Sequence, residues 1–259
     1  MKVSTMKKFH TILCLFGIDL LKILHSFIFI PKYILHFFYF SLKNRKNQFG
    51  PIRFLPALSD AKVASGAINS IYFLQDQFVA RRLYEEKVIK HFDIGSRIDG
   101  FILALSCFSD VTIYDIRDLQ STVKNIKFER RDLMGNEMSL PSVTSLSCLH
   151  TLEHFGLGRY GDPLDHEGWI KGLSSLNTML EIGGKLYLSV PIGRQRIEFN
   201  AHRVFDPVYF EQQLELTGFR VIERIFIDDN RRIEIDVKNI DSEFWKDQSY
   251  GCGIWILTK

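Results

Sequence analysis

From His91 onward the chain alternates between short apolar runs and amphipathic stretches. The runs His91–Ile94, Val111–Asp115, Ile126–Glu129, Val143–Leu149, Lys185–Val190, Phe219–Ile227 and Gly253–Thr258 are rich in β-branched and aromatic residues. They are too short for helices and read as seven strands. Helical spacing between them predicts helices over Phe101–Phe108, Asp165–Leu180 and Pro207–Thr217. Gly183-Gly184 and Gly218 then stand where helices end in a glycine cap. Gln75–Lys90 sets Phe78, Leu83 and Val88 on one face and charges on the other, as a leading helix. Alternating strands and helices predict an α/β fold, a mostly parallel sheet with helices on both faces. No helical pattern separates the last two strands, which predicts an antiparallel hairpin at the sheet edge.

The first fifty residues follow another rule. Thr11–Leu42 is dense in Phe, Ile and Leu, broken by Asp19, Lys22 and Lys32 and interrupted at Pro31. Its charge-free pieces, among them Thr11–Ile18 and Ile23–Pro31, fall short of the roughly 20 residues of a spanning helix. Three readings compete: interfacial helices on an anionic membrane, an imperfect signal-anchor, or helices packed on the domain as a cap. No small-residue cleavage pattern follows, so a secretory signal fits less well. The organisation expected is a hydrophobic basic helical segment over 1–50, a linker and leading helix over 51–90, with Ala61–Ser70 a small-residue stretch, and an α/β domain over 91–259.

Charge divides the chain in the same way. Residues 1–50 carry eight Lys or Arg and the single acid Asp19, a net of +7; the whole chain is +3, leaving −4 for residues 51–259. An acidic body without a basic stripe argues against a nucleic-acid partner. Cys14, Cys107, Cys148 and Cys252 lack Cys-x-x-Cys spacing and sit in apolar runs, so they read as small buried hydrophobes in a reducing compartment. The expected location is the cytoplasm, with residues 1–50 able to hold the protein at a membrane surface.

In such sheets ligands bind outside the carboxyl ends of the strands. Here those ends carry chemistry: Asp93 and Gly95 after strand one, Asp115 after strand two, Asp132-Leu133 after strand three, and His150, Glu153 and His154 after strand four. The turn Gly95-Ser-Arg-Ile-Asp-Gly100 leads into a helix whose first N–H groups lack partners. Asp115 lies 22 residues beyond Asp93, the spacing of an acid that holds a ribose by its hydroxyls.

These motifs resemble the class I S-adenosylmethionine-dependent methyltransferases, over roughly His91 to the C-terminus. The family's acid-x-Gly-x-Gly turn appears as Asp93-Ile-Gly-Ser-Arg-Ile-Asp-Gly100, and its His-x-Leu-Glu-His pattern as His150-Thr-Leu-Glu-His154. The Gly-Gly before strand five appears in Leu180-Glu-Ile-Gly-Gly-Lys-Leu-Tyr-Leu-Ser-Val-Pro191. Gly95–Phe101, Gly158-Arg-Tyr-Gly-Asp-Pro163 and Phe199-Asn-Ala-His-Arg-Val204 are also similar to an uncharacterised domain family distantly related to these enzymes. The resemblance implies a Rossmann-like seven-stranded sheet and S-adenosylmethionine as cofactor. It implies cofactor contacts from Asp93, Gly95, Ser96, Arg97, Gly100, Asp115, Ile116, Asp132, Leu133 and His150.

Two positions depart from the pattern. Arg97 replaces the second glycine, where it can pair with Asp99 or a substrate anion, and Ser142-Val-Thr-Ser145 lacks the acid that often opens strand four. A nicotinamide-dinucleotide oxidoreductase is one rival, but the turn lacks the middle glycine that lets a pyrophosphate approach. A non-catalytic or membrane-tethered module that keeps the fold is the other.

Methyl transfer to a hydroxyl needs a base. His154 and His202 are the candidates, with Asp162 in the glycine-rich loop Gly156–His166 beside them; each histidine could equally be a buried, hydrogen-bonded structural residue. Arg159, Tyr160, His166, Asn200 and Arg203 are candidate acceptor contacts, Arg203 as an anion clamp, and Tyr160 and Trp169 could stack on a sugar face. Asp162, Asp165 and His166 have metal-ligand chemistry, but a few close positions on one loop do not define a site, and no metal is assigned. The acceptor expected is a small hydroxyl or carboxyl compound, such as a sugar or glycan precursor.

Overall fold

The computed structural model describes residues 13–14, 16–43, 53–54, 70–119, 121–135 and 140–259. It divides into two units, 1–67 and 68–259. In the first, α1 (Leu20–Lys43) is one 24-residue helix that runs through Pro31. The proline was expected to interrupt it, yet a proline removes one backbone hydrogen bond, and the apolar sequence continues on both sides. The stretch Lys22–Leu42 is long and apolar enough to cross a membrane by length and composition. Phe27, Leu35, Phe38, Phe40 and Leu42 are exposed. Lys2, Lys7, Lys8, Arg45, Lys46 and most of Ala61–Ser70 lie outside the described residues.

The second unit opens with α2 (Ile71–Glu85), capped by the Ser70 hydroxyl, which accepts from Tyr72 N at 3.1 Å. It continues through β1 (Lys90–Ile94), α3 (Gly100–Ser106), β2 (Asp110–Asp115), β3 (Ile126–Arg130), β4 (Val143–Leu149), α4 (Gly168–Met179) and β5 (Leu180–Ile192). A small hairpin, β6 (Arg196–Glu198) with β7 (His202–Val204), precedes α5 (Pro207–Leu216), β8 (Arg220–Ile227), β9 (Ile233–Ile235), α6 (Glu243–Lys246) and β10 (Gly251–Thr258). The main sheet has eight strands in the order β3-β2-β1-β4-β5-β10-β8-β9, the first five parallel. β10 runs antiparallel to both β5 and β8, and β9 antiparallel to β8.

The α/β reading therefore holds, with one strand more than expected and a different edge. The last strand does not sit at the edge: it inserts between β5 and β8, and the edge hairpin is β8–β9. The reason is burial. All eight residues of β10 are buried, and Trp255, Ile254 and Leu257 could not be left on a solvated edge. Gly253 faces the Trp255 ring, where a Cβ would come within 2.4 Å of it.

The glycines at 183–184 also differ from expectation. α4 stops at Met179 and Leu180 enters extended backbone directly. Gly183, at φ +78°, and Gly184 belong to a bulge in β5, where the register against β4 steps between Val143 and Ser145. A Cβ on Gly184 would lie 3.0 Å from the Thr144 carbonyl, so the bulge needs a small residue there. Gly218, at φ +96°, ends α5 as predicted. Of the cysteines, Cys148 and Cys252 are buried, but Cys14 and Cys107 are exposed; Cys107 is the residue at which α3 ends, past its buried face.

Leu146, Leu188, Phe210 and Trp255 fill one face of the sheet beneath α4 and α5, while Val79, Leu83, Ile102 and Ile113 fill the other beneath α2 and α3. A polar anchor crosses the first face. Glu211 of α5 accepts from Arg224 Nε at 2.6 Å and Nη2 at 2.5 Å, and from the buried Trp255 Nε1 at 3.0 Å. Removing one member of a buried charged network strands the others. Glu211→Ala is expected to lower unfolding stability by about 2–4 kcal/mol, read as a lower urea midpoint; an unchanged midpoint would show that the network contributes nothing net.

Candidate active site

The site is built around the carboxyl end of β1. Asp93 is fully buried there, and its Oδ1 accepts from Ser96 N at 3.0 Å, holding the turn closed. Its Oδ2 accepts from Ser147 Oγ of β4 at 2.5 Å. Behind it His91 spans Ser145 Oγ (2.8 Å to Nδ1) and Ser147 Oγ (2.9 Å to Nε2). With Ser147 donating to Asp93, His91 Nε2 carries the proton and Nδ1 accepts from Ser145, so the dipoles run toward the carboxylate. Burial lowers His91 to about 3, so it stays neutral, and pushes Asp93 up to about 6 against the hydrogen bonds that oppose it. Gly95 follows at φ +78°, where a Cβ would stand 2.3 Å from Thr151 Cγ2. The turn and the end of β4 thus touch through a glycine.

Beside this turn lies a cavity of about 430 Å³. Of the residues expected to contact a cofactor, Gly95, Ser96, Arg97, Asp115, Ile116, Asp132, Leu133 and His150 line it. Arg97 pairs with Asp99 at 3.2 Å, one of the two partners expected. Asp115 ends β2 and receives Arg117 three times: its N at 2.8 Å and Nε at 3.0 Å on Oδ1, and Nη2 at 2.5 Å on Oδ2. That leaves acceptor capacity on Oδ2. The Arg117 guanidinium also covers the Tyr160 ring at 4.3 Å. Asp132 Oδ1 turns its own loop by accepting from Met134 N at 2.9 Å.

Two cofactor candidates stand elsewhere. Asp93 does not line the cavity; it acts behind the turn. Gly100 opens α3, with Asp76 Oδ2 2.7 Å from where its Cβ would be.

At the end of β4, His150 adopts φ +47° and donates its N–H to Ser189 Oγ at 3.0 Å. Its Nδ1 lies 3.0 Å from Oε1 of the fully buried Glu153. His154 lines the cavity, holds the Ala201 carbonyl through Nδ1 at 2.7 Å and is lowered by burial, which outweighs the pull of Glu153. Arg159 and Tyr160 also line the cavity; Arg159 donates to the same carbonyl at 2.9 Å.

Asp162 reaches the cavity wall, but its carboxylate staples the loop, accepting from Gly156 N at 2.9 Å, Gly158 N at 3.1 Å and Tyr160 N at 3.1 Å. Both oxygens thus hold the loop, whatever else the carboxylate does at the cavity wall. Arg203 is not an anion clamp. It is buried and donates to the Phe155 carbonyl at 2.6 Å, supporting the turn from behind. His202 is half-buried in β7 against the Tyr250 ring at 4.8 Å and does not line the cavity. His166 and Asn200 are exposed and away from it. Trp169 is buried against Phe205 at 5.2 Å, so it offers no sugar platform. Among the described residues no cluster of three His, Cys, Asp or Glu has the geometry to hold a metal.

Sequence reasoning missed Tyr72, Gln75 and Asp76 of α2, Arg117, Arg131 and Tyr250, all of which line the cavity. The buried Gln75 accepts from Ser189 Oγ at 2.5 Å and donates to Asp76 Oδ1 at 3.2 Å, tying α2 to β5. Gln75 and Asp76 interrupt the apolar face of their helix, the one local sign of a second role.

A mostly parallel sheet with this antiparallel insertion and a glycine turn at the end of β1 is the α/β fold of class I methyltransferases. Residues 106–251 match the family described as Caenorhabditis protein of unknown function, DUF268, and the chain belongs to that family. No curated protein matches it. Among solved structures, the [4+2]-cyclase SpnF is 12% identical over 72% of this chain and 80% of its own, with a TM-score of 0.52. A TehB-like S-adenosylmethionine-dependent methyltransferase from Corynebacterium glutamicum ATCC 13032 is 14% identical over 87% and 98%, with a TM-score of 0.49. The glycopeptide N-methyltransferase MtfA, complexed with S-adenosyl-L-methionine, is 12% identical over 70% and 86%, with a TM-score of 0.47. At these identities the likeness concerns the fold alone, and fold does not fix chemistry.

The buried Asp93 makes a pH signature. Its folded value of about 6 lies above the 3.8 of a free side chain. The fold thus binds this proton more tightly than the unfolded chain does. That contribution is complete below about pH 4 and is lost as pH rises through 6. Urea unfolding is expected to show wild type losing on the order of 2–3 kcal/mol across that window relative to Asp93→Asn; parallel pH profiles for the two would contradict the assignment.

Proposed function

We propose that this chain is an S-adenosylmethionine-dependent methyltransferase acting on a small hydroxyl or carboxyl acceptor, such as a sugar or glycan precursor. The observation that carries the reading is the cavity itself. It collects the Gly95 turn, the β2-terminal Asp115, Asp132 and the β4-terminal His150 and His154 at one end of a parallel sheet. Its volume is that of a small-molecule site, and the close approach of backbone at Gly95 is one that a Cβ would fill.

In this reading Asp115 holds the ribose hydroxyls through the capacity left on Oδ2, with Arg117 yielding part of its bidentate grip. Ile116 and Leu133 give apolar walls to the adenine, and Asp132 lies at its edge. The backbone of Gly95 and Ser96 approaches the methionine portion, and the half-buried Asp76 adds a carboxylate on that wall. The bound cofactor would supply an electrophilic methyl group on sulfur. Arg159 and Tyr160 border the remaining space and fit a polar acceptor. The −4 balance of residues 51–259 supports a small acceptor over a nucleic acid.

Calorimetry with S-adenosylmethionine and S-adenosylhomocysteine tests the cofactor. Binding is expected, and Asp115→Ala should weaken it at least tenfold, since a hydrogen bond to a charged acceptor contributes ~1.5–3 kcal/mol. Equal affinity in wild type and variant would remove Asp115 from the site.

The basic charge of residues 1–50 and the exposed apolar α1 support tethering at an anionic membrane surface. The full chain should co-sediment with phosphatidylserine-containing liposomes, and a chain starting at Gly50 should stay in the supernatant. Identical partitioning of the two would favour the packed-cap alternative.

A further inference from the structure

Every Lys and His in the sequence of α1 falls on one line along the helix. Lys22, His25, Lys32, His36 and Lys43 are separated by 3, 7, 4 and 7 residues, steps that return a helix to the same face. At roughly 100° per residue these five positions occupy an arc of about 80°. Lys22, Lys32 and His36 are exposed there. The opposite side carries Leu24, Phe27, Leu35, Phe38 and Leu42, all exposed as well. Around Phe27 and Phe38 an arc of about 160° holds no Lys, Arg, His, Asp or Glu.

The flank between these two sides is closed from within the same unit. The Phe54 ring meets Tyr33 at 5.0 Å and Phe37 at 5.2 Å, edge-on to both. That contact leaves the basic line and the apolar arc open on either side of it. A helix with a charged line and a broad aromatic face opposite has the form of one that rests at a lipid–water boundary.

The pattern discriminates between ways of meeting a membrane. The stretch Lys22–Leu42 has the length to cross a bilayer, but crossing would carry Lys32, halfway along it, to the hydrocarbon centre, the costliest depth for an ammonium group. Lying in the plane costs nothing of that kind: the whole basic line stays among head groups while Phe27 and Phe38 enter the acyl boundary. A second copy of the helix is a poorer occupant. Paired helices meet along a narrow seam, whereas this apolar arc takes in nearly half of the circumference. The net +7 of residues 1–50 makes the complementary surface an anionic one.

We propose that α1 lies in the plane of an anionic membrane surface rather than across the bilayer, with the face of Phe27 and Phe38 in the acyl boundary and the line of Lys22, Lys32 and His36 among the head groups. The proposal rests on the tethering reading and deepens it, from an apolar basic segment to a defined face and orientation. Attachment of this kind is reversible, because it depends on charge and on one helix face, not on a segment threaded through the bilayer.

Neighbouring phenylalanines on opposite faces supply the test. Phe27 and Phe38 lie on the apolar arc, and Phe29 and Phe40 on the basic line. Partitioning of the full chain onto vesicles of equimolar phosphatidylcholine and phosphatidylserine is measured for wild type and for the four single Phe→Lys variants. Phe27→Lys and Phe38→Lys should each weaken it about tenfold or more, the worth of one buried Phe side chain. Phe29→Lys and Phe40→Lys should leave it within about twofold or strengthen it, since each adds a cation near the head groups. Alkaline carbonate should release bound wild type, because it discharges the lysines.

Equal losses in both members of each pair, with wild type resistant to carbonate, would assign α1 a spanning role and overturn the in-plane proposal while keeping the tether. Unchanged partitioning in Phe27→Lys and Phe38→Lys would remove the apolar arc from the membrane contact. A vesicle-free dimer of wild type that Phe38→Lys dissociates would give the face to a second copy instead. Wild type that stays in the supernatant with these vesicles would overturn the tethering reading itself, and the proposal with it.

Discussion

A carboxylate with no access to water, Asp93, holds the functional end of this fold together. Placing it there is costly unless its oxygens are engaged. The chain meets that demand with the Ser96 amide on one oxygen and the Ser147 hydroxyl on the other, backed by His91 and Ser145. One interaction thereby closes the glycine turn, locks β1 to β4, and sets the approach of Gly95 to Thr151. Cavity wall and sheet register have a common cause.

A second polar chain brings in the helix that precedes the sheet. The His150 amide donates to Ser189, Ser189 to Gln75, and Gln75 to Asp76. It joins the end of β4, the middle of β5 and the inner face of α2, so three elements distant in sequence meet at the cavity. Opposite them the Glu211–Arg224–Trp255 network fixes α5 over β8 and β10. Each network lies where an apolar contact would have packed but would not have specified which partner to choose.

The loop after the 3-10 turn Leu152–His154 shows how side chains divide between architecture and chemistry. Asp162 and Arg203 carry charge, yet both are consumed in holding backbone: Asp162 gathers three loop amides and Arg203 caps two turn carbonyls. Those contacts leave Arg159, Tyr160 and His154 directed to the cavity. Arg117 links this loop to Asp115 through the Tyr160 ring, so the end of β2 and the loop share one side chain.

Periodicity along the sequence determined the strands, the helices and their alternation, because burial on a sheet or helix face imposes a repeat that single residues reveal. Spacing from Asp93 to Asp115, and the His150-Thr-Leu-Glu-His154 pattern, placed the cavity's main residues at successive strand ends. Pairing order was another matter. That β10 inserts beside β5 depends on which strand could bear burial on both faces, and its unbroken burial from Gly251 to Thr258 is intelligible only beside the half-exposed β8 and the fully exposed β9. Tertiary structure alone decided the roles of the polar residues. Asp162, Arg203 and Asp93 look in sequence like ligand-binding groups. Which charges face a cavity and which face backbone amides or carbonyls is set by contacts between residues tens of positions apart, and no local pattern encodes those.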